Sequence, residues 1–300
     1  MVLKKSNITL THKHEKVRMT DKKIEAKTII FVPKVDMASQ TIKKALLKEY
    51  KFKKIQEDPI EIYINEETNA LMAEILEDSI YAENIERSFK AELFIFATRH
   101  SAASEMPALL THSPGNWTEE ARWGGRPRAI AIAPATALKI AVIELKKAAE
   151  RYRLEEYKVG LEVTHHGPYI DKTPTMFIEL GSNEKYWKDI RGGVALADAI
   201  MKIAGERQKN RIHYKATIGL GGPHYAPHFT KKVLETEIAV GHIIPQYVYD
   251  KITEKEILMA IERNEEKVET VMLEWKGLKK HQREFSIKTL EKINQKWMRI

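Results

Sequence analysis

Apolar positions follow two rhythms along this chain, and the switches between them mark out its elements. Thr28–Val32 and Glu92–Thr98 are short runs rich in β-branched and aromatic residues, as in buried strands, and Ile60–Ile64 alternates with period two. Ala129–Ala133, Lys158–Val163, Thr175–Leu180 and Arg211–Ile218 read as further strands. Helical spacing predicts helices over Ala38–Tyr50, Ala135–Tyr152, Lys185–Ala204, Thr253–Glu266 and Ser286–Trp297, while Leu71–Ser79 fits either kind. From His100 to Arg128 neither rhythm holds, and Pro, Gly and two Trp punctuate the stretch. Loops of that length inside compact domains usually carry function. Alternating strands and helices predict an α/β protein with a mostly parallel mixed sheet sandwiched by helices. In such folds ligands bind beyond the carboxyl ends of the strands. Residues 1–27 read as a basic extension, with Met19 a second candidate start, and residues 28–300 as a single α/β domain ending in a basic helix.

Composition narrows the function classes. The 300 residues contain no cysteine, which excludes disulfides, thiolate zinc ligands and thiol nucleophiles. No apolar run approaches the roughly 20 residues that span a bilayer, and the polar N-terminus has no signal-peptide core. A soluble, cytoplasmic protein with no membrane partner is expected. The net charge of +8 is concentrated at the ends: residues 1–27 hold eight Lys/Arg against three acids, and residues 276–300 eight against two. Residues 56–88 hold ten acids and one base, Arg87. Basic ends of this kind suit either phosphate binding or solvated surface.

The chemistry lies in the histidines. Eight of eleven fall between residues 100 and 242, most beside Gly or Pro: Arg99-His100, Thr111-His112-Ser113-Pro114-Gly115-Asn116-Trp117, Thr164-His165-His166-Gly167-Pro168, Gly221-Gly222-Pro223-His224-Tyr225 and Gly241-His242. Imidazole titrates near neutrality and is the commonest metal ligand. The segments at His100, His165 and His224 each follow a predicted strand, which would bring them to one rim. Glu162 and Glu179 interrupt apolar strands and are candidate carboxylates for a metal or a ligating histidine, or solvent-facing acids of an edge strand. Each histidine also has the plainer reading of a hydrogen-bonded turn residue, and His12, His14, His213 and His281 are expected at the surface. Gly115 and Gly167 are candidate oxyanion donors through their backbone N–H groups. Asn116 and Trp117 suit a polar hook and an apolar wall, or a loop anchor. Pro223 and Pro227 argue against a helix through His224 and His228. No nucleophile elbow, phosphate loop or His-Glu-x-x-His pair is present.

Several of these blocks together resemble a known family. Phe94–His100, Leu110–Trp117, Glu162–Pro168, Met176–Ser182, Gly222–Pro227 and Gly241–Pro245 are similar, in this order, to the archaeal and plant type of D-aminoacyl-tRNA deacylase. Pro223 departs from that pattern, where a glycine is expected. The resemblance implies a phosphorylase/hydrolase-like α/β sandwich akin to peptidyl-tRNA hydrolase. It implies a zinc-dependent hydrolase acting on the ester of D-aminoacyl-tRNA, with the CCA end and acceptor stem as partner and no obligate protein partner. On this basis His165, His166, His224, His100, His112 and Asn116 are the expected catalytic and positioning residues. His165, His166, His224 and Glu162 are the expected zinc ligands. Gly115, Trp117, Gly167, Tyr225 and His242 are expected against the substrate, and Trp117, Trp123 or Tyr225 would stack on the single-stranded CCA end. A small-molecule nucleoside phosphorylase-like or metal-dependent hydrolase, and a non-catalytic tRNA-binding module, are the alternatives.

Overall fold

The computed structural model describes residues 23–209 and 214–300. In chain order the elements are β1 (Ile24–Pro33), α1 (Met37–Glu49), β2 (Lys53–Gln56), β3 (Ile62–Asn65), β4 (Ala70–Ile75), β5 (Phe89–Ser101), β6 (Ala108–His112), β7 (Gly115–Asn116), β8 (Ala129–Ile130) and α2 (Ala135–Arg151). They continue with β9 (Lys158–Leu161), β10 (Thr175–Ser182), α3 (Glu184–Trp187), α4 (Ile190–Lys209), β11 (Lys215–Leu220), α5 (Pro227–Glu235), β12 (Ile238–Ile244), α6 (Glu254–Glu262), β13 (Thr270–Leu273), α7 (Lys280–Lys292) and β14 (Trp297–Arg299). Strand β1 begins at Ile24, so residues 24–27, expected in the extension, belong to a sheet. Residues 1–22, with His12 and His14, lie outside the described residues, as does His213.

Eight strands form one sheet in the order β2-β3-β4-β1-β5-β10-β6-β9. Its centre, β4-β1-β5-β10, is parallel, whereas β6 runs antiparallel to β10 and the β2-β3-β4 edge is antiparallel. The mostly parallel mixed sheet is therefore present. Period-two alternation divides its two faces. Ile30 and Val32 of β1 meet α1, α2 and α4 on one side. Ile29 and Phe31 face the other side, where Phe89, Phe94, Phe96 and Phe177 fill the layer with Ala82, Ile85, Ala131 and Ile170. These last four come from short 3-10 turns and irregular chain. The expected helical sandwich is thus corrected for this sheet: helices cover one face, and five phenylalanine rings supply enough apolar bulk to close the other without one.

A second, wholly parallel sheet in the order β12-β11-β13-β14 was not foreseen. Val240, Ile243 and Met272 from it share a core with Leu138 and Ala141 of α2, while Ile257, Ala260 and Leu290 of α6 and α7 cover its far face. Helix α2 therefore packs between the two sheets. Several local expectations change. Strand β6 lies inside the stretch read as irregular, and the strand expected at Ala129–Ala133 pairs only over Ala129–Ile130. The helix expected at Lys185–Ala204 is interrupted at Lys188-Asp189, and the C-terminal helix starts at Lys280. Pro227 does not prevent a helix but opens α5 at its first turn, where proline's missing N–H costs nothing.

Candidate active site

The helix-free face of the large sheet carries the site. Along β5 the positions that follow Phe94 and Phe96 on that face are Thr98 and His100, and along β10 the position after Phe177 is Glu179. Strand β6 contributes His112 opposite Phe177, β9 runs on into Glu162, His165 and His166, and β11 leads through Gly221 and Gly222 to His224. The expectation that these segments share one rim is met in space.

Glu179 is the hub. Its carboxylate accepts from His100 Nδ1 at 3.3 Å, His112 Nε2 at 3.4 Å and Thr98 Oγ1 at 3.5 Å, with His166 Nε2 at 3.8 Å. Burial works against its charge, but the donated bonds from His100 and His112 outweigh it and hold the carboxyl well below its ordinary range. Burial likewise opposes a charged His100, yet Glu179 and Glu162 together raise that ring above its usual value. The hydroxyl of Tyr225 lies 3.3 Å from His100 Nε2.

Beside this hub sits a more electron-rich group. His165 and His166 each donate Nδ1–H to a backbone carbonyl, Val163 O at 2.8 Å and Gly167 O at 2.6 Å. That fixes the tautomer and leaves both Nε2 lone pairs free, the arrangement of metal-ligating imidazoles. Burial, and then the neighbouring His112, His166 and His224 rings, push His165 well below the ordinary histidine value, so it is neutral. Glu162 Oε1 lies 2.9 Å from His224 Nε2, but that approach is not aligned as a hydrogen bond, and neither buried oxygen has an aligned donor. An orphaned buried carboxylate beside free imidazole nitrogens fits a cation. Glu162, His165 and His224 offer ligand atoms within 4.8 Å of one another, as do His112, His165 and His166, and so do His100, Glu162 and Glu179. His166, expected among the ligands with Glu162, falls in a different triplet. It also holds a left-handed backbone conformation, φ +45°, which costs a non-glycine residue strain.

A cavity of about 730 Å³ opens over this cluster, walled by His100, His165, His166, His224, Glu179, Arg99, Trp123 and Tyr247. His112 is not on its wall; the ring is buried beneath, stacked on Phe177 at 5.2 Å, and so positions Glu179. Other expectations need correction. His242 lies within β12, fully buried, with Nδ1 2.9 Å from Thr164 Oγ1 and Nε2 2.9 Å from Arg263 O, so it ties β12 to two neighbouring loops and does not line the cavity. Trp117 is buried and donates Nε1–H to Thr164 O at 2.9 Å, which anchors it, and it contributes to the cavity lining as well. Asn116 lines the cavity, but its amide is used on Gly124 O at 2.9 Å and anchors the loop. Gly115 N–H is bonded to His166 O at 2.7 Å and Gly167 N–H to Trp123 O at 3.0 Å, so neither is a free oxyanion donor. Both glycines are needed for close approach instead: a Cβ on Gly115 would lie 2.4 Å from Ile130 Cγ2, and one on Gly167 2.2 Å from Gly125 N. His281 is exposed, as expected.

The model of the D-aminoacyl-tRNA deacylase family matches residues 87–298, a span that holds every histidine and carboxylate of the cluster. The chain belongs to the D-aminoacyl-tRNA deacylase family. It is 33% identical over 279 residues to the D-aminoacyl-tRNA deacylase of Thermococcus onnurineus, covering 90% of this chain and 99% of that one. Against the Pyrococcus abyssi D-aminoacyl-tRNA deacylase the identity is 35% over 266 residues, 86% of this chain and 94% of that one. The Methanosarcina barkeri relative is 33% identical over 267 residues, 86% of this chain and 84% of its own. A crystal structure titled as a conserved protein of unknown function superposes with a TM-score of 0.82 at 26% identity, over 91% of this chain and 95% of that chain.

The cavity wall also holds two residues that the residue pattern alone did not single out. Arg99 is held on the cavity wall by Asp36 at 3.2 Å and Asp78 at 2.6 Å, and Tyr247 places its hydroxyl 3.2 Å from His224 Nδ1. Arg99 stands beside His100 in a deacylase-like block, whereas Tyr247 follows the Gly241–Pro245 block with no chemical signature of its own.

Proposed function

We propose that this chain hydrolyses the ester joining a D-amino acid to the 3′-terminal adenosine of tRNA, releasing D-amino acid and reusable tRNA. The observation that carries the reading is a cluster of five histidines and two buried carboxylates at and beneath one cavity, with His100, His165, His166, His224 and Glu179 on its wall, in a chain of the D-aminoacyl-tRNA deacylase family. An aminoacyl ester is already activated, so its hydrolysis needs a positioned water and a base rather than a covalent nucleophile.

Zinc is part of the proposal, and Glu162, His165 and His224 are the residues that would hold it. When bound, zinc polarises the ester carbonyl and lowers the pKa of a water. The chain's own groups do the rest. His166, fixed through Nδ1–H, presents Nε2 to the cavity and accepts the proton of the attacking water there. Glu179 keeps His100 and His112 in register through its bonds to both. Trp123 and Tyr247, both exposed on the rim, offer stacking faces to the terminal adenine. Rejection of L-esters requires a wall against their side chain. The phosphorylase/hydrolase-like, peptidyl-tRNA hydrolase-like form of the fold, the single-domain organisation and a cytoplasmic location belong to the same proposal; among the described residues no helix is long and apolar enough to cross a membrane.

The test is a pair of substitutions, His165→Ala and His224→Ala, each purified with wild-type circular dichroism. Both should lose bound zinc by elemental analysis together with hydrolysis of D-Tyr-tRNA. Full zinc content and full turnover in both would remove these residues from the site.

A further inference from the structure

A second groove begins where the cavity ends. Gly222, Gln246, Lys276, Gly277 and Lys279 wall it, and it shares His224 and Tyr247 with the cavity. At its floor Gly222 N–H donates to Gly277 O at 3.3 Å, and the two glycines leave room for the buried Glu274 side chain, whose Oε2 would lie 2.1 Å from a Cβ on Gly222. Its rim is cationic. Lys276 is exposed and has no carboxylate partner among the described residues. Next to it, Trp275 carries two guanidinium groups, Arg283 at 4.7 Å and Arg299 at 4.6 Å from the ring centre. Neither arginine forms a salt bridge among the described residues, so two cations are gathered on one indole. Two cations held on one ring without carboxylate partners attract an anion. The cavity wall differs: Arg99 is paired there with Asp36 and Asp78, while Arg122 forms no salt bridge among the described residues.

We infer that this groove and the Arg283–Trp275–Arg299 face carry the phosphates of the single-stranded 3′ end of tRNA and lead its terminal adenosine past His224 and Tyr247 into the cavity. The inference rests on the hydrolase reading above. It also gives the basic C-terminal stretch, eight Lys/Arg against two acids over residues 276–300, a partner. Phosphate contacts of this kind position the strand without reading its sequence, and they weaken as salt rises.

The experiment measures binding of deacylated tRNA by fluorescence anisotropy over a salt series, for the wild type and for K276Q/R299Q. The double variant should bind about 10-fold more weakly. Its slope of log affinity against log salt should be shallower by roughly 1.4, two single-strand phosphates at about 0.7 each. K276R/R299K should restore both, and kcat/KM on D-Tyr-tRNA should fall through KM rather than kcat. Unchanged affinity and slope in a folded double variant would overturn the inference. An equal loss on D-tyrosyl-adenosine, which has no phosphate to hold, would overturn it too. A wild type that binds tRNA with this salt dependence but cleaves no D-ester would support the phosphate track and sink the hydrolase reading.

Discussion

Replacing His242 by Gln separates a structural histidine from the catalytic ones. The imidazole is fully buried in β12 and donates from Nε2 to the Ala131 and Arg263 carbonyls at 3.1 and 2.9 Å, while Nδ1 takes the Thr164 hydroxyl at 2.9 Å. Burial, more than those carbonyls can offset, lowers its pKa from 6.5 to about 4. The unfolded chain therefore binds a proton below pH 6.5 that the folded chain does not accept until about pH 4. Stability rises with pH wherever the unfolded state holds more protons, so this contribution is complete above pH 6.5 and is lost as pH falls toward 4. A shift of that size corresponds to about 3 kcal/mol across the window. H242Q keeps a donor near Nε2 but has nothing to titrate. Urea unfolding of both proteins at pH 7.5 and pH 4 should show the wild type losing about 3 kcal/mol more than the variant. A wild-type-to-variant difference independent of pH would refute the reasoning, and a large loss of turnover at neutral pH in a folded H242Q would return this histidine to the site.

Two further substitutions probe the cluster and its supports. Glu179→Gln keeps the shape of the hub and removes its charge, so kcat on D-Tyr-tRNA should fall roughly 10- to 100-fold with KM little changed, the usual cost of removing a partner that orients histidines around a metal site; wild-type kcat would contradict the hub. Trp117→Phe abandons the bond to Thr164 O and should cost about 1–3 kcal/mol in thermal or urea unfolding, with KM for tRNA unchanged; a raised KM with full stability would instead make Trp117 a stacking residue.

The elements that were legible are those whose side chains meet a single environment along their length. β1, β5 and β10 are β-branched and aromatic because both their faces are buried, and α2 shows a clear helical rhythm although it packs between two sheets. β12, β13 and β14 were missed because they are short and interrupted, by Gly241 in the first, and because the sheet they form is assembled from segments far apart in the chain. β6 was hidden among Pro and Gly, since its pairing with β10 is a long-range contact with no local signal. At the site, His100, His165 and His224 were legible because each closes or follows an apolar run that reads as a strand. His242 keeps the same glycine company but lies inside β12, and no local pattern distinguishes a strand interior from a strand end when the strand itself is not seen. Gly115 and Gly167 are not free oxyanion donors for another reason: their backbone N–H groups are spent on carbonyls brought near only by the fold, and the Asn116 amide likewise takes the loop-anchor role of its two readings. Glu179 was visible as an acid in an apolar strand, but its place at the centre follows from the β5-β10-β6 register.

Deacylation of D-Tyr-tRNA against L-Tyr-tRNA, by chelator-stripped protein and by the same protein reloaded with zinc, tests the central claim most directly. The account predicts cleavage of the D-ester in preference to the L-ester, lost on stripping and regained with zinc. Cleavage of neither ester by folded, zinc-loaded protein would contradict it.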